Sequence, residues 1–216
     1  MISMQMSKKQ LKNIWGQVPP DYYYSLNLGQ RLWHDTKWDV LKKLMTQDNF
    51  EPKTILEIGC AAGHLTKFTQ DLFPKAKVWG IDIYKPAIIE AKMRYPEINF
   101  QVADAHKLPF NKNYFDLVLC SETIEHVLEP AKMLAEIKRV LKTDGRVVLE
   151  MDSGSPLFRF IWYVWTHFGK GRVWHGSHLH PFSEKELEQV IRRQNFHINQ
   201  KKLSHFGMAV SFLLTK

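Results

Sequence analysis

The chain has 216 residues, 44% of them hydrophobic, which suits one domain with a core of ordinary size and argues against disorder. Its 30 Lys and Arg against 22 Asp and Glu give a net charge of +8, a bias toward anionic or phosphate-bearing partners that names none of them. No apolar run reaches the ~18 residues of a spanning helix, and Met1 to Gln10 lack the apolar stretch of a signal peptide.

Residues 11–50 are rich in Trp, Tyr and Leu, with Trp33, Trp38, Leu41 and Leu44 near helical spacing, and are expected to form a helical cap within an N-terminal unit 1–50. From residue 54 onward, short β-branched runs alternate with amphipathic stretches. This is the pattern of strand-helix-strand units in a parallel sheet, and predicts strands at 54–58, 77–82, 98–103, 115–121 and 146–151. Helices are expected to start near Gly63, Lys85 and Glu129. Pro130 suits a first helical turn, and Thr143-Asp144-Gly145 reads as the turn before the fifth strand. Ser183 and Glu186 form a capping-box pair that opens a helix running to about Gln194. Segments 196–204 and 208–215 have strand composition with three residues between them, and so short a link permits only an antiparallel hairpin. The expected fold is therefore α/β, a Rossmann-like doubly wound sheet over 51–216, mostly parallel, with helices on both faces and an insertion at about 153–183.

Cys60 and Cys120 fall at strand ends, at the spacing of neither a metal site nor a disulfide framework, so no metal is expected and a reducing, cytoplasmic setting fits. The first strand ends in Glu57-Ile58-Gly59-Cys60-Ala61-Ala62-Gly63, a glycine-bearing turn into a helix. Open α/β sheets bind ligands at the carboxyl ends of strands, where glycines let the backbone approach. Three carboxylates follow the strand ends: Glu57, Asp82 and Asp104. Asp82, about 20 residues past the glycine loop, is placed to accept ribose hydroxyl protons. Asp104 could accept from an adenine amino group, and Glu57 could answer an ammonium. Together they point to a nucleoside cofactor.

The run Glu57-x-Gly59-x-x-x-Gly63, the strand end Gly80-Ile81-Asp82-Ile83, Ala103-Asp104-Ala105, Leu108-Pro109-Phe110 and Phe115-Asp116-Leu117-Val118 together resemble the successive motifs of class I S-adenosylmethionine-dependent methyltransferases. The stretch from Ser121 to Val127, Ser-Glu-Thr-Ile-Glu-His-Val, is similar to the segment after strand four in the branch that includes the quinone-biosynthesis enzymes. The resemblance spans residues 54–152 and, more loosely, the final hairpin. It implies S-adenosylmethionine as cofactor, held by Glu57, Gly59, Cys60, Ala61, Gly63, Asp82, Ile83, Asp104, Ala105 and Ser121. Gly59 to Gly63 would line the methionine part, Asp82 the ribose, and Asp104 with Ala105 the adenine. Ala61 departs from the family, many members of which carry glycine there. The Asp/Asn-Pro-Pro-Tyr signature of enzymes that methylate exocyclic or amide nitrogen is missing, so oxygen or carbon acceptors are preferred.

A hydroxyl or acidic-carbon acceptor benefits from a general base, and an imidazole with a pKa near neutrality suits that task. His126, just past the fourth strand, is the first candidate, with His178 and His180 behind it. The stretch from Ser153 to Ser183 contains no Asp or Glu but carries Arg159, Lys170, Arg172, four His and many aromatics. Between Pro156 and Phe168, Arg159, Tyr163 and Thr166 fall on one helical stripe, with Lys170 just beyond, leaving a wide apolar face. Residues 156–170 read either as a lid over a hydrophobic acceptor or as a peripheral contact with the inner face of a membrane. Both favour a small, lipid-like acceptor. An RNA or protein methyltransferase is the alternative; nucleic acid is disfavoured because the aromatics crowd one helix instead of alternating with charges. A nicotinamide-dependent oxidoreductase and a cofactor-binding protein without turnover complete the expectations.

Overall fold

In a computed structural model of the chain, which describes residues 28–216, seven strands form one sheet in the order β3-β2-β1-β4-β5-β7-β6. The strands are β1 (Thr54–Ile58), β2 (Lys77–Asp82), β3 (Asn99–Val102), β4 (Phe115–Ser121), β5 (Leu141–Asp152), β6 (His197–Ser204) and β7 (Ala209–Thr215). The helices are α1 (Leu28–Met45), α2 (His64–Leu72), α3 (Lys85–Arg94), α4 (Pro130–Val140), α5 (Pro156–Phe168) and α6 (Glu184–Arg193). The first five strands run parallel, while β7 lies antiparallel to both β5 and β6. The three-residue link at His205–Gly207 permits nothing else.

Period-two alternation sends successive strand residues to opposite faces, and both faces are covered. Leu56, Ile58, Val118 and Cys120 pack with Met133, Leu134 and Ile137 of α4 and Leu187 and Ile191 of α6. Ile55, Leu117 and Leu119 pack on the other side with Leu65 of α2 and Leu41, Leu44 and Met45 of α1. The aromatics of the expected cap do pack on the sheet side: Trp38 lies 5.2 Å from Phe68, and the Trp33 ring lies tilted over His205 with centroids 3.9 Å apart. The rest of that cap, residues 1–27, lies outside the described residues.

One turn expectation is corrected. Thr143-Asp144-Gly145 lies within β5, which starts directly where α4 stops. Phe115 pairs with Leu141, and two residues later Leu117 pairs with Arg146, so residues 142–145 bulge out of the ladder and absorb the turn. Asp116 sits opposite the bulge. Its carboxylate takes the Lys142 ammonium at 2.8 Å and the Thr54 amide and hydroxyl at 2.9 and 2.7 Å, tying the start of β1 to β4.

Candidate active site

The strand order reverses between β1 and β4, and in open sheets that crevice is where ligands bind. A cleft with about 890 Å³ of empty space opens there, over the loop after β1 and the residues that end β4. Glu57, Gly59, Cys60, Ala61 and Ser121 line it, and Gly63 lies between two further lining residues, Ala62 and His64. Gly59 and Gly63 have φ of +78° and +81°. A Cβ on Gly59 would overlap the Thr123 side chain, and one on Gly63 would come within 2.5 Å of the Phe100 ring. The loop thus needs glycine at both places, and its backbone forms the floor of the cleft.

Glu57 is buried at the end of β1 and accepts the Thr66 hydroxyl at 2.5 Å. Burial pushes its carboxyl up to about 8, against the Thr66 bond and helped by the nearby Asp82 charge. A cationic ligand would reverse that burial effect. Asp82 does more than sequence reasoning assigned: its two oxygens accept the Ala61 amide at 3.0 Å and the Tyr84 amide at 2.8 Å, so it pins the glycine loop to the end of β2. Burial raises its pKa and those amides oppose the rise. Asp104 receives the His106 amide at 2.9 Å and the His106 ring at 2.6 Å, while the other ring nitrogen of His106 accepts the Glu129 amide at 3.1 Å. Asp82, Ile83, Asp104 and Ala105 stand at the ends of β2 and β3, beside the cleft and outside its lining.

Sequence reasoning missed a buried charge cluster on the opposite wall. Lys37 of α1, 2% exposed, lies 2.5 Å from Glu122 and 3.1 Å from Glu150, and Glu150 also accepts the Ser121 hydroxyl at 2.5 Å. Despite its burial, Lys37 is held well above the ordinary lysine range by Glu122 and Glu150. One cation serves two carboxylates: Glu122 stays ionised, while burial pushes Glu150 up. The signals were present in the sequence. Lys37 interrupts the apolar stripe of Trp33, Leu41 and Leu44, and Glu150 and Asp152 interrupt an otherwise apolar strand end.

The histidines gather on the other side of the segment from Ser121 to His126. His126 and His178 have ring centroids 4.9 Å apart, and the His126 Nδ1 donates to the Ser177 carbonyl at 2.8 Å. His180 stacks on Phe182 and points its Nε2 at the Leu128 carbonyl, 3.3 Å away. The reason for choosing imidazole, a pKa near neutrality, fails for His126 and His178. Burial pushes His126 down, and burial together with His126 takes His178 to about 3.

The aromatic stretch folds as α5, started by the Ser155 cap. Of its expected polar stripe only Thr166 is buried; Arg159 and Tyr163 stand at the exposed rim of a second cavity of about 800 Å³ that all three line. Leu157, Phe160, Ile161, Val164 and Phe168 form the outward stripe, with Phe160 68% and Phe168 73% exposed. Lys170 falls beyond the end of α5. Among the described residues no helix is long and apolar enough to cross a membrane.

A parallel sheet with an antiparallel final hairpin, and a glycine-floored cleft at its switch point beside a strand-end carboxylate, define a methyltransferase-type nucleoside-cofactor fold. Comparison with known proteins agrees. Residues 56–149 match the family described as "Methyltransferase domain". A demethylmenaquinone methyltransferase of Symbiobacterium thermophilum is 32% identical over 210 residues, covering 83% of this chain and 82% of its own. A ubiquinone/menaquinone biosynthesis C-methyltransferase of Desulfotalea psychrophila is 33% identical over 120 residues, 54% of this chain, and this chain spans about half of that relative's length, 48%. Among solved structures, a SAM-dependent methyltransferase of Aquifex aeolicus superposes with a TM-score of 0.68 at 19% identity, covering 91% of this chain and 97% of its own. The chain belongs to the class I S-adenosylmethionine-dependent methyltransferases, in the branch of the quinone-biosynthesis enzymes.

Proposed function

We propose that this chain transfers the methyl group of S-adenosylmethionine to an oxygen or carbon of a small, hydrophobic acceptor. The observation that carries this reading is the placement of two chambers on one segment. Ser121 and Glu122 line the glycine-floored cleft, and Glu125 lines the aromatic cavity beneath α5. The cofactor would occupy the first, with Glu57 toward its ammonium and Asp82 toward its ribose. The sulfonium supplies an already activated methyl, so what remains for the protein is to place the acceptor and exclude water. Phe158 and Trp162 in the aromatic cavity, and the cap residues Lys37 and Trp38 on the wall of the cleft, are the side chains placed to do so. We infer that the N-terminal unit caps this site through its described residues, among them Lys37 and Trp38.

The test is to incubate the protein with methyl-labelled S-adenosylmethionine and an extract of its source cells, then to follow the label. Label in the organic phase is the expected result. Label confined to nucleic acid or protein would refute the acceptor class and leave the family standing. Asp82→Ala should weaken S-adenosylhomocysteine binding by about tenfold or more, because a buried acceptor and the pin of the glycine loop go together. Unchanged affinity in titration calorimetry would remove the ribose assignment.

The outward stripe of α5 favours one addition, a cytoplasmic protein resting on the inner face of a membrane through residues 156–170. The stripe is apolar, contiguous and flanked by the exposed Arg159 and Arg172, a composition that suits an anionic interface.

A further inference from the structure

The cavity beneath α5 holds, at the sheet end, a group of side chains that methyl transfer as described does not use. Glu125, His126 and His178 bring one carboxylate oxygen and two ring nitrogens within 4.8 Å of one another. Glu125 is 2% exposed, and neither of its side-chain oxygens has a hydrogen-bond partner. Asp152, 7% exposed, lines the same cavity with its Oδ1 unsatisfied. Buried polar groups are normally paired, so two buried carboxylates left in this state on one wall call for a ligand.

The histidines are prepared in a specific way. A carbonyl only accepts, so the bond from His126 to Ser177 places the proton on Nδ1 and the lone pair on Nε2. A backbone carbonyl holding the far nitrogen is the usual support of a metal-ligating imidazole. His178 is clamped in orientation by stacking on Trp162 at 4.3 Å and 18°.

We propose that Glu125, His126 and His178 bind a divalent transition-metal ion, two imidazoles and one carboxylate, with open coordination toward the cavity beneath α5. Three protein ligands of this kind leave room for an exogenous oxygen. Resting on the function proposed above, that oxygen belongs to the acceptor, which narrows its class to apolar molecules with an ionisable hydroxyl, such as a phenol or enol. The cation stabilises the oxyanion, and the hydroxyl proton leaves to water.

The experiment is a Co²⁺ titration of chelator-stripped protein, read by visible absorption and by metal content, with calorimetric binding of S-adenosylhomocysteine measured on the same samples. One Co²⁺ per chain, displaced by Zn²⁺, is expected. Glu125→Gln and His178→Ala should each weaken Co²⁺ binding at least about tenfold, the usual size of a lost ligand's effect, while the exposed control His175→Ala binds as the parent does. Retained S-adenosylhomocysteine binding shows that each variant is folded. Absence of stoichiometric Co²⁺, or binding undiminished in both variants, overturns the site. Because Co²⁺ binding is read without turnover, loss of S-adenosylhomocysteine binding in the parent would sink the function proposed above and leave the metal site standing.

Discussion

Ala61 has φ of +45°, in the left-handed region where a Cβ costs about 1–2 kcal/mol. The family's usual glycine would remove that strain, so Ala61→Gly should raise stability by about 1 kcal/mol, or a Tm gain of a few degrees, in a thermal melt. An unchanged or lower Tm would mean that the loop relaxes around the alanine. Glu57 gives a pH prediction. Its carboxyl is pushed up to about 8 in the folded chain, above the unfolded value. Its contribution to stability is therefore present at low pH and lost as pH rises through about 8. A ligand that needs the carboxylate pulls the other way: S-adenosylhomocysteine should bind more tightly as pH rises from 6 to 8, by up to about tenfold per unit, and Glu57→Gln should flatten the profile. Glu57 and Asp82 were legible in the sequence because strand-end acids near a glycine loop are positional signals. The second duty of Asp82, holding the Ala61 and Tyr84 amides, was not, since it depends on how the loop folds back.

At the scale of elements, the strands and the hairpin could be read because period-two runs and a three-residue link leave few options. β5 was read short because its first residues carry turn chemistry inside a bulge, and a bulge looks like a turn in one dimension. The helix α5 was recognised as amphipathic, yet the side facing inward was not, because Trp and Phe occupy both faces. Its outward residues are exposed, so Phe160→Ser, Val164→Ser and Phe168→Ser combined should cost the fold little. The parent should sediment with anionic vesicles and the triple variant should stay in the supernatant. A parent that never sediments would leave α5 as a lid alone.

Across the whole molecule, α1 is joined to the sheet by an apolar seam and by the Lys37 cluster. Removing one partner of a buried ion pair strands the other charges, typically at about 3–5 kcal/mol. Lys37→Met should therefore destabilise the chain strongly in denaturant titration, most at high pH, where Glu122 and Glu150 are both ionised. A loss under about 1 kcal/mol would show that the carboxylates reach solvent instead. The polar interruptions at Lys37 and Glu150 were visible within their own elements, but their pairing was not, since Lys37 meets carboxylates that come from the end of β4 and from β5, far along the chain.

The segment from Ser121 to His126 is a party wall, facing one chamber with Ser121 and Glu122 and the other with Glu125. Occupants on its two sides share that one segment. Whatever factor a filled nucleoside chamber applies to affinity on the far side must be returned in full when the loading order is reversed. The two half-reactions of binding are then one thermodynamic cycle, and titrating each ligand in the presence of the other should give the same ratio from both directions.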